Sequence, residues 1–267
     1  MRTQYSVTPL PRILQNLHAR ASERGARIVL PETADSRVWQ ARSELEDRRL
    51  AEVVWIDDPA RNNRFDEVVE HIYLRRKQEG GITRQRAVTL AEDRLYFGAS
   101  LVALGHADGC VGGSVATTGH VIRAGIHCLG PAAGVETISS FFLMVRDEEV
   151  LTFADCAVVP EPSVEQLVDI AISTARNHEL MTSTPPQLAF LSYSTMGSAK
   201  HPHVTKVRDA CALFRERYPD VAADGELQFD AAYIETIGKQ KAPDSPVAGR
   251  ANVFVFPDLD AGNIAYK

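Results

Sequence analysis

The chain alternates short apolar runs with segments whose apolar residues recur at helical spacing. RIVLP at 27–31 reads as a buried strand: a short apolar run bounded by polar residues. A helix is predicted from Ser36, with Val38, Ala41 and Leu45 on one side, because residues three and four apart share a helix face. AEVVWI at 51–56 predicts the next strand, closed by Asp57, Asp58 and Pro59. Residues 65–77 and 91–105 predict two helices. In the second, Leu95, Ala99 and Val102, with Leu101 between them, give a broad apolar face.

The second half repeats the pattern. SSFFLMV at 139–145 is rich in strand formers, and VLTFADCAVVP at 150–160 predicts a strand after a turn at 146–149. Ser163 opens a helix with Gln166 three residues on, the arrangement in which two side chains satisfy orphan N–H groups. Val164, Leu167, Val168, Ala171, Ile172 and Ala175 then follow the spacing of a buried stripe. A strand is predicted at 186–194, a helix at 203–218, a strand at 251–259, and the opening turn of a helix at 261–267. Such alternation argues for an α/β fold with mainly parallel sheets flanked by helices. A change of domain is placed near 130–150.

Composition narrows the function class. At 267 residues, 45% hydrophobic and 24% charged, the chain can bury a sizeable core in one large or two modest domains. A formal charge of −6 without a basic run argues against nucleic acid as partner. Anionic ligands stay open, since a few arginines and helix N-termini can hold a phosphate on an acidic protein. Cys110, Cys128, Cys156 and Cys211 are widely spread and form no C-x-x-C pair, which predicts reduced thiols and a cytoplasmic location. The N-terminal residues lack a long apolar segment and no stretch approaches about 18 apolar residues, so neither a secretory signal nor a membrane span is expected.

Four stretches could carry chemistry. CVGGSVATTGHVIRAG at 110–125 runs from a strand end through a small-residue loop into a helix. Ser114, Thr117 and Thr118 supply hydroxyls, the helix start supplies N–H groups, and Arg123 offers a planar fork for phosphate oxygens. The alternative is a plain strand-to-helix turn with a Thr N-cap. LSYSTMGSAKHPHV at 191–204 clusters Ser192, Ser194, Thr195, Gly197 and Ser198, with Lys200 nearby. It lacks the P-loop pattern and is either a ligand loop or a capped solvated one. His201 and His203 have no third ligand beside them, so no metal is expected. Arg75, Arg76 and Lys77 end a predicted helix, where cations are favoured by the dipole alone. Asp258 and Asp260 precede a helix and read as capping residues.

LPETADSR at 30–37, the segment 93–113, LTFADCAVVPEPSVEQLVDIAI at 151–172, LSYSTMGSAK at 191–200, DGELQFDAA at 224–232 and the segment 241–267 occur in the order in which similar text occurs in the phosphate acetyltransferase and phosphate butyryltransferase family, which the chain resembles. The resemblance implies a two-domain α/β fold with a cleft between a first domain at 1–135 and a second at 136–267, assembled as a homodimer. It implies acyl transfer between coenzyme A and phosphate, with acetyl phosphate and acetyl-CoA as ligands. Coenzyme A is then a substrate, and neither a resident cofactor nor a metal is called for. Arg123 matches the arginine of the family's T-[LV]-R-P. The arginine before a glycine matches Arg76, with Arg75 as the alternative. Thr117 and Thr118, with Ser114 before them, match its hydroxyl loop, and Ser194, Thr195, Gly197 and Ser198 match S-T-K-G-S. The chain departs from the family at Ala116, His120, Ala124 and Met196, where histidine, aspartate, proline and lysine are usual. The family also has a terminal segment with N-D-L-S-R-G and a nearby aspartate, which returns to the first domain and is not in this sequence. Two expectations follow. One is a phosphate acetyltransferase impaired by that truncation; the other is a non-catalytic regulatory module that binds acetyl-CoA or coenzyme A.

Overall fold

The computed structural model describes residues 10–78 and 80–267. The chain forms two compact units, and the division falls between Pro131 and Ala132 with Ile13 grouped with the later unit. The sequence-based boundary at 135 therefore lies inside the second unit.

The first unit contains α1 (Arg12–Arg24) apart from its first two residues, β1 (Arg27–Leu30), α2 (Ser36–Asp47), β2 (Glu52–Trp55), α3 (Phe65–Gln78), α4 (Arg84–Ala91), α5 (Arg94–Ala103), β3 (Gly109–Cys110) and α6 (Thr118–Cys128). Its sheet has the order β2–β1–β3, all parallel, with Ile28 opposite both Val53 and Gly109. Val29, Ile56, Val68, Ile72, Phe97 and Cys128 lie in its core. α5 is buried from Leu95 to Leu101. A Cβ on Gly98 would stand 2.9 Å from Val29 Cγ1 and 3.0 Å from Cys110 Sγ, so a side chain there would push α5 off β1 and β3.

The helix expected at 91–105 is in fact broken. α4 ends at Ala91 and α5 begins at Arg94. Asp93 makes the break by capping α5, with Oδ1 accepting from the N–H groups of Leu95 at 2.9 Å and Tyr96 at 3.3 Å. Apolar periodicity runs through such a break, because the faces on either side remain buried.

The second unit contains β4 (Phe142–Arg146), β5 (Glu149–Ala154), α7 (Val164–Thr182), β6 (Gln187–Leu191), α8 (Pro202–Arg217), β7 (Ala222–Leu227), α9 (Phe229–Tyr233), α10 (Glu235–Lys241), β8 (Val253–Val255) and α11 (Leu259–Tyr266). The sheet order is β4–β5–β8–β6–β7; β4 pairs antiparallel with β5 and the other neighbours are parallel. Successive strand side chains point to opposite faces. Leu188, Phe190, Val253 and Val255 accordingly pack with α7 and α8, while Ala189, Leu191 and Phe254 pack with Ala232 and Val247 on the other face. The Ser163 hydroxyl accepts from Gln166 N–H, and the Gln166 side chain accepts from Ser163 N–H, fixing the start of α7.

The strands expected at 150–160 and 251–259 are shorter than their apolar runs, because Cys156 and Phe256 fill the core just past the strand ends, Phe256 still donating its N–H to the Ala154 carbonyl at 2.7 Å. β7 was not expected: its AADGEL sequence has no apolar run. Among the described residues no helix is long and apolar enough to cross a membrane.

Candidate active site

The end of α3, the face of α4, the first turn of α5 and α6 surround a pocket of about 400 Å³ in the first unit. Arg76 and Arg123 both line it, together with Arg86, Tyr96, His120 and His127. Neighbouring helical residues diverge by about 100°. Arg76 therefore turns to the pocket while the Arg75 guanidinium lies against Gly130, where a Cβ would collide with it. Arg86 was not singled out from sequence, because the Thr83 cap that starts α4 was not read and one more arginine on a polar face is no signal. Three guanidinium groups around so small a space suit a compact dianion such as a phosphoryl group, which accepts paired hydrogen bonds from planar donors. Burial raises the pKa of Tyr96, an effect that Arg123 and Arg76 partly oppose. Its hydroxyl is 3.0 Å from His127 Nδ1.

A second pocket, of about 1010 Å³, shares His120 and Asp93 with the first and is lined also by Glu32, Asp35, Val115 and Ala116. The stretch at 110–125 is expected to be either an anion-binding turn or a plain strand-to-helix turn, and its cradle of N–H groups lies at 113–116. A carboxylate of the same chain fills it. Glu32 Oε2 accepts from Gly113 N–H at 2.6 Å, Ser114 N–H at 2.7 Å and the Ser114 hydroxyl at 2.9 Å. Its Oε1 accepts from Val115 N–H at 2.9 Å and Ala116 N–H at 2.7 Å. Arg37, paired with Asp35, donates to the Ser114 carbonyl at 2.6 Å. The LPETADSR segment is thus a clamp on the loop that leads into α6, and Ser114 is committed to it. Adjacent pairing of β1 and β3 makes the clamp possible by bringing their C-terminal ends together. Thr117 caps α6 by accepting from His120 N–H at 3.3 Å, and Thr118 is exposed at the first helical position.

Burial pushes the Glu32 pKa up, but the hydrogen bonds from Ala116, Val115 and Ser114 outweigh it and bring the group to about 2. A depressed carboxyl pKa stabilises the fold above the unfolded value of about 4.3 and ceases to do so as pH falls through the folded value. Glu32→Gln keeps one carbonyl oxygen and removes the charge, so two of the four backbone N–H groups lose their acceptor. It is expected to cost about 1–2 kcal/mol at neutral pH, the low end reflecting partial solvent access. Urea titrations should show the difference from the parent protein shrinking between pH 4.5 and the folded value of about 2, the parent losing stability there and the variant not.

In the second unit the hydroxyl loop follows β6. Ser194 is buried, and its hydroxyl donates to Glu226 Oε1 at 2.9 Å and accepts from Ala199 N–H at 3.0 Å. Gly197 N–H donates to the same Glu226 oxygen at 2.7 Å, and Ser198 Oγ accepts from Thr195 N–H at 3.0 Å. Thr195 Oγ1 donates to Gln228 Oε1 at 3.2 Å and accepts from Gln228 N–H at 3.0 Å. Ser194, Thr195, Gly197 and Ser198 are therefore held together by the end of β7. Glu226, the buried acceptor at the centre, was missed because β7 was missed. A pocket of about 300 Å³ lies beside this loop, with Ser192, Tyr193, His203, Lys206, Asp258 and Asp260 around it. It sits past the C-terminal ends of β5, β6 and β8, where open parallel sheets present their ligand sites. Asp258 caps α11 by accepting from Ala261 N–H at 2.9 Å. Among the described residues no group of three or more His, Cys, Asp and Glu is arranged to hold a metal ion.

The family model described as "Phosphate acetyl/butaryl transferase" matches residues 53–267. A phosphate acetyltransferase of Thermoanaerobacterium thermosaccharolyticum is 38% identical over 281 residues, covering 96% of this chain and 85% of the relative. One of Paracoccus denitrificans is 41% identical over 270 residues, covering 95% and 85%. The crystal structure of a phosphotransacetylase from Streptococcus pyogenes superposes with a TM-score of 0.90 at 36% identity, covering 95% of this chain and 84% of that one.

Proposed function

Because this chain belongs to the phosphate acetyl/butaryl transferase family, we propose that it moves an acetyl group between coenzyme A and phosphate, converting acetyl-CoA and phosphate to coenzyme A and acetyl phosphate, and the reverse. The observation that carries the reading is the pocket where Arg76, Arg86 and Arg123 converge. In the direction of acetyl-CoA formation the coenzyme A thiolate attacks the acetyl carbonyl and the C–O bond to phosphate breaks. Guanidinium groups fixed around the phosphoryl oxygens neutralise the charge of the leaving phosphate as it develops. Coenzyme A is a substrate, and the reaction needs no resident metal or redox cofactor. The acetyl group is favoured over longer acyl chains because the similar curated proteins are named for it. One methylene in an acyl pocket is worth only about 1–3 kcal/mol, so butyryl phosphate is the informative competitor. A cytoplasmic homodimer completes the proposal.

A second reading is a module that binds coenzyme A without turnover. The arginine pocket favours it, since guanidinium groups can hold a phosphate of coenzyme A without any chemistry following, while the donors of both hydroxyl loops are engaged internally. The test is thioester formation from acetyl phosphate and coenzyme A by the purified protein, with calorimetric titration of coenzyme A on the same sample. Turnover that depends on both substrates is expected. Saturable binding without thioester formation would replace the transferase with the binding module.

A further inference from the structure

Building on the acyl-transfer reading, we propose that Glu226 is a positioning residue for coenzyme A: its buried carboxylate holds a left-handed turn at Met196 and Gly197, and that turn sets one wall of the pocket in the second unit.

Glu226 is 1% exposed, near the end of β7. Arg215 pairs with Asp224 two residues earlier, and among the described residues no ion pair reaches Glu226. A carboxylate buried without a cation is costly to a fold, so a core that needed only the shape would be served by a neutral side chain. What the carboxylate receives instead is the loop after β6. Oε1 accepts from the Ser194 hydroxyl at 2.9 Å and from Gly197 N–H at 2.7 Å. The Glu226 carbonyl accepts from Met196 N–H at 3.1 Å.

The backbone explains why a clamp is needed there. Met196 and Gly197 have φ of 46° and 82°. That is the left-handed region, which a residue with a Cβ adopts only at a cost. These two residues are also the ones whose N–H groups donate to Glu226. The flanks are tied to the residues that follow Glu226. Ser192 N–H donates to the Leu227 carbonyl at 2.9 Å, and Gln228 Nε2 donates to the Tyr193 carbonyl at 3.0 Å.

Ser194 carries the effect of the turn to the pocket. Its hydroxyl is fixed by Glu226, and its N–H donates to Ser192 Oγ at 3.2 Å. Ser192 and Tyr193 line the space of about 300 Å³, together with His203 and Lys206. Because Ser192 Oγ accepts from the backbone, its own hydrogen stays for a ligand. Hydroxyl, ammonium and imidazole groups together can donate to the polar groups of coenzyme A. Coenzyme A is assigned to this pocket because the acyl phosphate is assigned to the arginines of the first unit. Releasing Ser194 would shift the wall formed by Ser192 and Tyr193, although Glu226 itself is buried.

Glu226→Ala and Glu226→Gln test this on the full chain, with thermal melting as control. Both side-chain contacts fall on one oxygen, so the carbonyl of glutamine can accept both and alanine neither. For Glu226→Ala, KM for coenzyme A is expected to rise about tenfold, the loss of one hydrogen-bonded contact, with kcat and KM for acetyl phosphate nearly unchanged. Glu226→Gln should restore most of that loss. Ser194→Ala should raise KM for coenzyme A likewise, and adding it to Glu226→Ala should cost little more, because the two residues act in series. Additive losses would place the effect of Glu226 elsewhere and overturn the assignment. If the parent protein turns over and Glu226→Ala lowers the melting temperature but leaves KM for coenzyme A as it was, Glu226 is only structural and the transferase reading stands. If calorimetry shows that the parent binds coenzyme A without turnover, and Glu226→Ala weakens that binding with rescue by glutamine, the assignment stands and the transferase reading fails. Should Glu226→Ala not fold, Ser194→Ala decides, and an unchanged affinity for coenzyme A overturns the assignment. No binding of coenzyme A by the parent protein overturns both.

Discussion

Arg123→Gln is expected to lower kcat about 10²–10³-fold, the loss typical when one donor to a developing anion is removed. The change should spare the fold. Arg123 is exposed, whereas Ala124 and Cys128 bury the opposite side of α6 in the core of the first unit. Glutamine keeps a donor and similar length but loses the charge and the two-pronged geometry. Arg76→Gln should act in the same direction, since both side chains line the one pocket. The double variant should cost less than the two losses added, because side chains that share one ligand are coupled. The measurement is steady-state kcat and KM for acetyl phosphate, with thermal melting as control. A rise in KM at unchanged kcat would mean that Arg123 only binds substrate and does not follow the charge into the transition state. An unchanged kcat and KM would remove Arg123 from the site.

Phe254→Ala is expected to destabilise the second unit by about 3–5 kcal/mol, the range for emptying a buried aromatic site. Phe254 is fully buried at the centre of β8. Its ring meets Phe153 edge-on at 5.5 Å, Phe229 at 4.9 Å and Tyr233 at 6.4 Å. Those rings belong to β5 and α9, so the cavity would loosen three elements at once. β8 lies between β5 and β6, with little room to collapse inward. Urea unfolding should show a lower midpoint at nearly constant slope. A loss below about 1 kcal/mol would mean that the site closes over the cavity or that the face is wetter than its burial implies.

Much of the fold was legible in the chain because the decisive signals are local. Apolar runs at 27–31 and 51–56 become neighbouring parallel strands, and the stripe from Val164 to Ala175 becomes the buried face of α7. Ser163 and Gln166 announced their own helix start. The failures share one cause, which is that an apolar run reports burial and not where a strand or helix begins and ends. Cys156 and Phe256 look like strand residues and sit in loops, while AADGEL looks like a loop and forms β7. Asp93 interrupts a helix at a position that periodicity passes over.

The family could be read from motif order, and Arg76, Arg123 and the two hydroxyl loops could be named from it. What each residue does could not. Glu32 reaches a loop 81 residues later, and Ser194 reaches Glu226 across 32 residues. Those contacts turn two apparent anion cradles into satisfied internal networks. Arg86 joins the arginines, Arg75 leaves them, and Asp93 meets His120 only after α3, α4, α5 and α6 pack together. The sequence by itself determined most of the elements and the family, because hydrophobic periodicity and motif order are written along the chain. Only the tertiary structure decided which donors stay available to a ligand, because a hydrogen bond or an ion pair depends on distances in space that spacing in sequence does not encode.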